Sequence, residues 1–303
     1  MDEDVNPDVA NEPVLALRGI EVRYGRRRVL GDVDLSIGRG EVYALLGRNG
    51  SGKSSLVRTL LGMQPPSVGT ARVLGRDPWH DRAALMERIG FVPEEPQAPP
   101  EMTAQQLIAF CGTLRRQWDP AAIAARLDRF AVPRDRAFRK LSKGQKKQVE
   151  LALALGHRPE LVVLDDPTLG LDPLARRAFF GELMAELAES GTTVLLTTHD
   201  LAAVEGIADR VGILGNGRLL VDESLESLKA RFRKLLLVPG GEAAIGAPRM
   251  LVRRDRPWGT EVVVGDWEEE GMEGLQDAQP LSLEEIFAAL HGAGTTPSTE
   301  EQR

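Results

Sequence analysis

Cysteine is almost missing from this chain of 303 residues: Cys111 is its single copy. That excludes an internal disulfide framework and any metal site built from several thiolates. Histidine is sparse as well, and His80, His157, His199 and His291 stand far apart in sequence. No apolar, nearly charge-free run approaches the roughly 18 residues of a membrane span, so any membrane attachment has to come from another protein or another device. Positive charge is in deficit, with 38 Lys and Arg against 45 Asp and Glu for a formal charge of -7. A general coating role on nucleic acid therefore lacks electrostatic support, although local basic sites remain open. The opening MDEDVNPDVANEP is acidic and polar where a secretion signal is basic and then apolar, which makes a cytosolic chain the default expectation.

What is present is the composition of a soluble globular protein, 42% apolar and 27% charged. The length suits one large domain with an appendage, or two domains. Residues 1–13 read as a disordered tail, and ordered structure is expected from Val14 with short alternating strands, the modest β entry. EVYALL at 41–46 is an apolar run of strand formers, followed by a glycine-rich turn and then by helical spacing of Leu56, Leu60 and Leu61. From about 101 to 157 the pattern turns helical. Thr103 with Gln106 fits a capping box, and Asp119 with Pro120 opens a second helix. Strands are then expected at 161–165, 193–197 and 211–214, with helices at about 174–189 and 200–208, so the β/α alternation implies a mainly parallel sheet. Asn216-Gly217 marks a tight turn, and the segment from Ser224 reads as a charged helix. The main domain is expected to span 14–230. Residues 231–303 read as a small α/β appendage with strands at 234–238, 250–253 and 261–264, an acidic loop, a helix capped by Ser282 and Glu285, and a flexible tail.

GRNGSGKS, from Gly47 to Ser54, matches the phosphate-loop pattern and lies between an expected strand and an expected helix, as that mechanism requires. Backbone amides across Asn49, Gly50, Ser51 and Gly52, and on into Ser55, are placed to cradle phosphate. Lys53 is placed to reach the β and γ oxygens, and the Ser54 hydroxyl to ligate magnesium. LVVLDD at 161–166 supplies the complement, a buried strand that ends in two carboxylates. Asp165 is the candidate to hold magnesium through water, with a helix cap or surface turn as the plain alternative. Asp166 is the candidate to polarise the attacking water, because phosphoryl transfer to water needs an acceptor or orienter in line with the γ-phosphate.

With these residues in place, LSKGQ at Leu141 to Gln145 resembles the signature motif of the ATP-binding subunits of ATP-binding cassette (ABC) transporters. The resemblance covers about residues 14–230. It implies a P-loop ATPase cassette of α/β class: a mainly parallel sheet, an antiparallel β entry, and a helical subdomain at about 101–157. It also implies that Ser142, Gly144 and Gln145 bind the γ-phosphate held by an opposing cassette, so that ATP and Mg2+ are sandwiched in a homodimer or heterodimer. Asp172, in Gly170-Leu171-Asp172, resembles the loop that communicates across that dimer. His199 resembles the switch histidine at the γ-phosphate. Tyr24 resembles the aromatic that stacks on adenine, with a plain strand aromatic as the alternative. Asp200 reads as a helix cap.

Three departures from the family pattern stand out. The position after the magnesium aspartate is usually glutamate, and Asp166 is shorter by one methylene, which implies slow hydrolysis. Glu94, in FVPEEP, stands where the family usually has the glutamine that links magnesium and lytic water to the helical insertion; its carboxylate suits magnesium but adds negative charge near the γ-phosphate, so it is expected to bind metal more than to orient water. Lys143 stands where glycine is more usual, facing either solvent or a phosphate.

PEEP, the single short cassette and the SLEEIF-like closing helix resemble the ATPases of ABC-2 type bacterial exporters. The resemblance implies ATP hydrolysis that drives a separate multi-span permease from the cytoplasmic side of the cell membrane, with this chain peripheral and no nucleic acid partner. Two alternatives stay open: a catalytically weak ATP-binding switch paired with a more active cassette, and a soluble cassette ATPase acting on ribosomes or DNA. Leu107, Ile108, Phe110, Leu114 and Trp118 form an apolar stripe that either receives a helix of the permease or packs the helical subdomain itself. RFRK at 231–234 reads as a solvated helix end, with contact to lipid headgroups as the alternative.

Overall fold

The structure, a computed structural model, describes residues 12–238, 250–267 and 275–292. Most of the expected N-terminal tail, the acidic loop beyond 267 and the C-terminal tail lie outside the described residues. Two compact units are present. One contains the described residues up to Asp200 together with Arg210–Asp222, and the other contains Leu201–Asp209 with the described residues from Glu223 onward.

The chain runs β1 (Leu15–Tyr24), β2 (Arg27–Ile37), β3 (Val42–Leu46), α1 (Lys53–Leu60), β4 (Val68–Val73), α2 (Arg82–Met86), β5 (Ile89–Val92), α3 (Ala104–Gly112), α4 (Pro120–Arg129) and α5 (Lys143–Ala154). It continues through β6 (Leu161–Asp165), α6 (Pro173–Ser190), β7 (Thr193–Thr198), α7 (Leu201–Glu205), β8 (Arg210–Gly215), β9 (Arg218–Ser224) and α8 (Leu225–Arg231). It closes with β10 (Arg233–Leu237), β11 (Met250–Arg256), β12 (Gly259–Val264), β13 (Leu275–Pro280) and α9 (Leu283–Gly292).

In the first unit β2, β1 and β4 form an antiparallel sheet in that order, with Leu15 opposite both Ile37 and Val73. The six-stranded sheet has the order β5-β6-β7-β3-β8-β9, and its neighbours from β5 to β8 are parallel. Parallel strands are covered on both faces, which is why VYALL, LVVL and TVLLTT are buried along their whole length. Register decides where the chemistry sits. Val92 pairs with Leu164, Asp165 with Thr197, and Leu46 with Thr198, so the C-terminal ends of β5, β6, β7 and β3 finish side by side.

The helical segment forms its own core from Leu107, Ile108, Ile123, Leu127, Phe138, Leu141, Val149 and Ala152. Thr103 and Ser142 each make a full capping box, and Asp119 caps α4 ahead of Pro120. The apolar stripe divides. Leu107 and Ile108 are buried, whereas Phe110 and Leu114 are 49% and 61% exposed. Trp118 is half-buried and packs against that core: its indole N–H donates to the Ile108 carbonyl at 3.0 Å, and an added Cβ at Gly112 would stand 2.8 Å from its ring.

The second unit has a four-stranded sheet ordered β11-β12-β10-β13, with Leu235, Leu237, Val262 and Val264 at its centre. Two expectations are corrected here. RFRK is not a solvated helix end: Phe232 is buried, Arg233 and Lys234 open β10, and the basic groups are engaged. Arg231 pairs with Glu223 at 2.6 Å and Asp266 at 2.8 Å, and Lys234 pairs with Glu285 at 3.2 Å. The appendage also has a further strand, β13, whose sequence LQDAQP shows little alternation. Its terminal proline is accommodated because β13 is an edge strand. The two compact units divide after Asp222. Leu201–Asp209 joins the second unit because Asp209 accepts the Leu225 amide at 3.0 Å, while Glu205 accepts the Leu283 amide at 2.8 Å and pairs with Lys229 at 3.1 Å.

Candidate active site

The turn after β3 is shaped by what its glycines exclude. A Cβ at Gly47 would stand 2.5 Å from the Ser51 hydroxyl and 2.6 Å from the Leu214 carbonyl. Gly52 has φ +113, and a Cβ there would stand 2.4 Å from Leu30. Helix α1 then begins at Lys53 with no side chain capping its first amides. Such amides, with the positive end of the helix dipole, form a site for an anion. The Ser51 hydroxyl is buried with no hydrogen-bond partner. Lys53 is also buried, and its ammonium donates to the Gly47 carbonyl at 2.6 Å. Burial lowers the Lys53 pKa below the ordinary lysine value, while the carboxylates of Asp166, Asp165 and Glu94 act to raise it. A buried cation, free amides and an orphaned hydroxyl fit a phosphate chain.

Beside this loop β6 delivers its two carboxylates. Asp165 accepts from the Thr197 hydroxyl at 2.5 Å. Asp166 has φ 44, a left-handed conformation in which aspartate is several-fold enriched over most residues. Its amide donates to the Thr197 carbonyl at 2.9 Å, one carboxylate oxygen accepts from the Thr198 hydroxyl at 3.3 Å, and the other lies 2.8 Å from His199 Nδ1. Asp166 is thus buried and aimed, while the His199 side chain is half exposed. With Nδ1–H directed at Asp166, the tautomer leaves Nε2 as the open nitrogen.

A cleft of about 380 Å³ gathers Asn49 through Ser55 with Glu94, Asp165 and Asp166. Oxygen donors from Ser54, Asp165 and Glu94 are of the hard type that suits Mg2+, which usually takes one or two carboxylates plus substrate phosphate. Arg27 and Val29 line the same cleft and were not singled out from sequence. The run of arginines after Gly25 has no spacing that distinguishes the one facing the cleft. Tyr24 does not line it. Its hydroxyl donates to Gln64 at 2.6 Å and lies 3.4 Å from the Ser55 hydroxyl, and the Ser55 contact is the main influence that lowers its pKa.

The remaining candidate residues lie elsewhere. Ser142, Gly144, Gln145 and Asp172 line a second cleft, of about 590 Å³, with Lys143, Arg129 and Phe130. The Ser142 oxygen accepts the Gln145 amide at 3.1 Å, which leaves its hydroxyl proton for another acceptor. Asp172 caps α6 by accepting the Ala175 amide at 2.8 Å. Lys143 neither points freely to solvent nor stands apart. Its ammonium is 3.3 Å from Glu95, and its stem crosses Gly170, where φ is +76 and a Cβ would stand 3.2 Å from Lys143 Cδ. Asp200 pairs with Arg176 at 2.5 Å.

Comparison with known proteins gives a consistent result. The family model described as "ABC transporter" matches residues 30–169. The chain is 31% identical to the Nod factor export ATP-binding protein I of Ralstonia nicotianae, over 94% of this chain and 96% of that protein. It is 34% identical to the daunorubicin resistance ATP-binding protein DrrA3 of Streptomyces coeruleorubidus, over 72% of this chain and 71% of that one. Among solved structures, one described as the ATP binding subunit of an ABC transporter superposes with a TM-score of 0.65 at 28% identity, covering 72% of this chain and 92% of its own.

Proposed function

The chain belongs to the ABC transporter family as an ATP-binding subunit, and on that premise we propose that it hydrolyses ATP with Mg2+ to drive export by a separate multi-span permease. The observation that supports this reading best is the convergence of four parallel strand ends: the phosphate loop after β3, Glu94 after β5, Asp165 and Asp166 at β6, and His199 after β7. Lys53 and the first amides of α1 hold the β- and γ-phosphates, with Lys53 exchanging the Gly47 carbonyl for phosphate oxygen. Ser54, Asp165 and Glu94 hold magnesium, which when bound offsets phosphate charge. Asp166, held by Thr198 and His199, accepts a hydrogen bond from the attacking water, and His199 contributes its Nε2 side to positioning at the γ-phosphate. Its carboxylate reaches one methylene less far than glutamate, and a displacement near 1 Å lowers rate by about 100-fold, so turnover is slow.

Ser142, Gly144 and Gln145, with Asp172 beside them, serve the nucleotide of an opposing cassette, in a homodimer or a heterodimer. Tyr24 borders the adenine end through Ser55. Phe110 and Leu114, exposed on the helical subdomain, are the apolar contact for the permease, which keeps the chain peripheral on the cytoplasmic side of the membrane. No helix among the described residues is long and apolar enough to cross a membrane. Phosphate release by the pure chain, dependent on Mg2+ and lost in Lys53→Ala, tests the ATPase. Mild detergent capture from native membranes, followed by mass identification, tests the permease. Stoichiometric recovery of a multi-span protein supports the transport reading, and recovery of ribosomal or chromosomal components alone overturns it.

A further inference from the structure

Helix α5 begins at the second cleft, and its body grips the loop that brings Glu94 to the first. Beyond Val92 the pairing of β5 with β6 stops, so residues 93–97 have no strand partner to fix them. Three side chains of α5, spaced four and then three apart and therefore on one helix face, meet that loop instead. Lys143 pairs with Glu95 at 3.3 Å. Lys147, with no exposed surface, donates from its ammonium to the Pro93 carbonyl. Glu150, also buried, accepts the Gln97 amide at 2.7 Å, and its second oxygen has no hydrogen-bond partner. Burying a lysine and a glutamate is unfavourable unless each is held by good partners, and an apolar pair would fill a helix interior without that penalty. Their bonds go to the two ends of one loop, and Glu94 lies between those ends.

We propose that Lys147 and Glu150 are positioning residues that seat Glu94 in the phosphate cleft and tie its place to the helix whose start builds the second cleft. The inference rests on the reading of Glu94 as a group acting at the magnesium and phosphate. A shift of α5 moves Glu94 with it, because both ends of the loop travel on the helix.

The test uses the full chain and two readouts. Without nucleotide, hydrogen exchange of the segment 93–98 is followed in the wild type, Glu150→Ala, Glu150→Gln and Lys147→Met. Exchange at Gln97 is expected to rise about 10-fold in Glu150→Ala and to stay near wild type in Glu150→Gln, whose amide oxygen accepts the same bond. With ATP, the Mg2+ concentration for half-maximal phosphate release is expected to rise about 10-fold in Glu150→Ala and Lys147→Met, as in Glu94→Ala, with a smaller change in the KM for ATP. Lys147→Met, which keeps the Glu150 bond to the Gln97 amide, carries the test if Glu150→Ala does not fold. Unchanged exchange at Gln97 overturns the clamp. Faster exchange with an unchanged magnesium requirement, while Glu94→Ala raises it, overturns the positioning role alone. An unaltered magnesium requirement in Glu94→Ala removes the reading of Glu94 and this inference together.

Discussion

The two clefts of the first unit use the same device, the start of a helix, and differ in what surrounds it. At the phosphate loop the first amides of α1 have no capping side chain, and Lys53, Ser51 and Asp166 are buried around them. At the second cleft the first amides of α5 lie under a capping box from Ser142, and the nearest cation, Lys143, is already paired with Glu95. On the proposed function, the first is prearranged for a phosphate chain with its metal and attacking water. The second offers a hydroxyl proton and amides, enough to complete a phosphate shell but not to build one. On the proposed function, a single chain carries one principal half-site and one supplementary half-site, the arrangement expected when two cassettes sandwich nucleotide between unlike surfaces.

The largest expected effect falls on the principal half. Lys53→Ala removes the one buried cation at the phosphate loop, and phosphate release should drop about 1,000-fold. Ser142→Arg should also suppress turnover, but through the other cleft. A mixture of Lys53→Ala chains with Ser142→Arg chains should then recover at least about a tenth of wild-type release, because one composite site per mixed dimer keeps both of its halves intact. Absence of recovery, with both variants folded and mixed dimers present, would break the comparison by making the clefts act within one chain. Next in size is Asp166→Asn, which keeps the left-handed backbone and the Thr198 contact but loses the charge facing His199. Its release rate should fall about 100-fold, and a rate equal to wild type would remove Asp166 from the role of water-orienting group.

Sequence made the first half more legible than the second unit, for a physical reason. The phosphate loop, the strand ending in Asp165 and Asp166, and the capping boxes at Thr103 and Ser142 are local, with each function written within a few residues. Long-range pairings leave no such trace. Lys147 lies in KGQKKQVE, a run whose charges suggest a solvated helix face, and nothing local marks it as fully buried against Pro93. Thr197 and Thr198 look like ordinary strand formers, yet they orient Asp165 and Asp166 through the β6–β7 register. Arg27 reaches the cleft only through the β1–β2 pairing, and Leu201–Asp209 joins the second unit only through contacts with α8 and α9. RFRK misleads for the same reason, since its partners Glu223, Asp266 and Glu285 lie outside the run, with Glu223 on β9 and Glu285 on α9.

The smallest effect concerns how α5 holds β5, the strand that leads to the first cleft. Glu150 grips the loop after the strand, while His157, just beyond α5, lies 3.2 Å from the carbonyl of Ile89 at the strand's start. Burial pushes the Glu150 pKa up from 4.5 to about 7, with hydrogen bonds from Gln97 and the charge of Lys147 opposing and Glu95 reinforcing the shift. Burial, aided by the positive charge of Arg115 and opposed by the Ile89 carbonyl and Glu87, pushes His157 down from 6.5 to about 4. The signs differ. The folded state keeps a proton on Glu150 that the unfolded chain releases, so this contribution is full below about pH 4.5 and is lost as pH rises toward 7. The folded state excludes a proton from His157 that the unfolded chain takes up, so its contribution is full above about pH 6.5 and is lost as pH falls toward 4. Between about pH 4.5 and 6.5 the two slopes oppose each other. His157→Gln should unmask the Glu150 slope, so that stability relative to wild type falls with rising pH by up to about 1.4 kcal/mol per unit. Glu150→Gln should unmask the opposite slope. Urea midpoints measured across that window in the wild type and both variants read the two signs directly, and parallel curves for all three proteins would show that neither group titrates differently on folding. Opposite slopes would show that the buried groups flanking β5, Glu150 on α5 and His157 just beyond it, both titrate differently on folding.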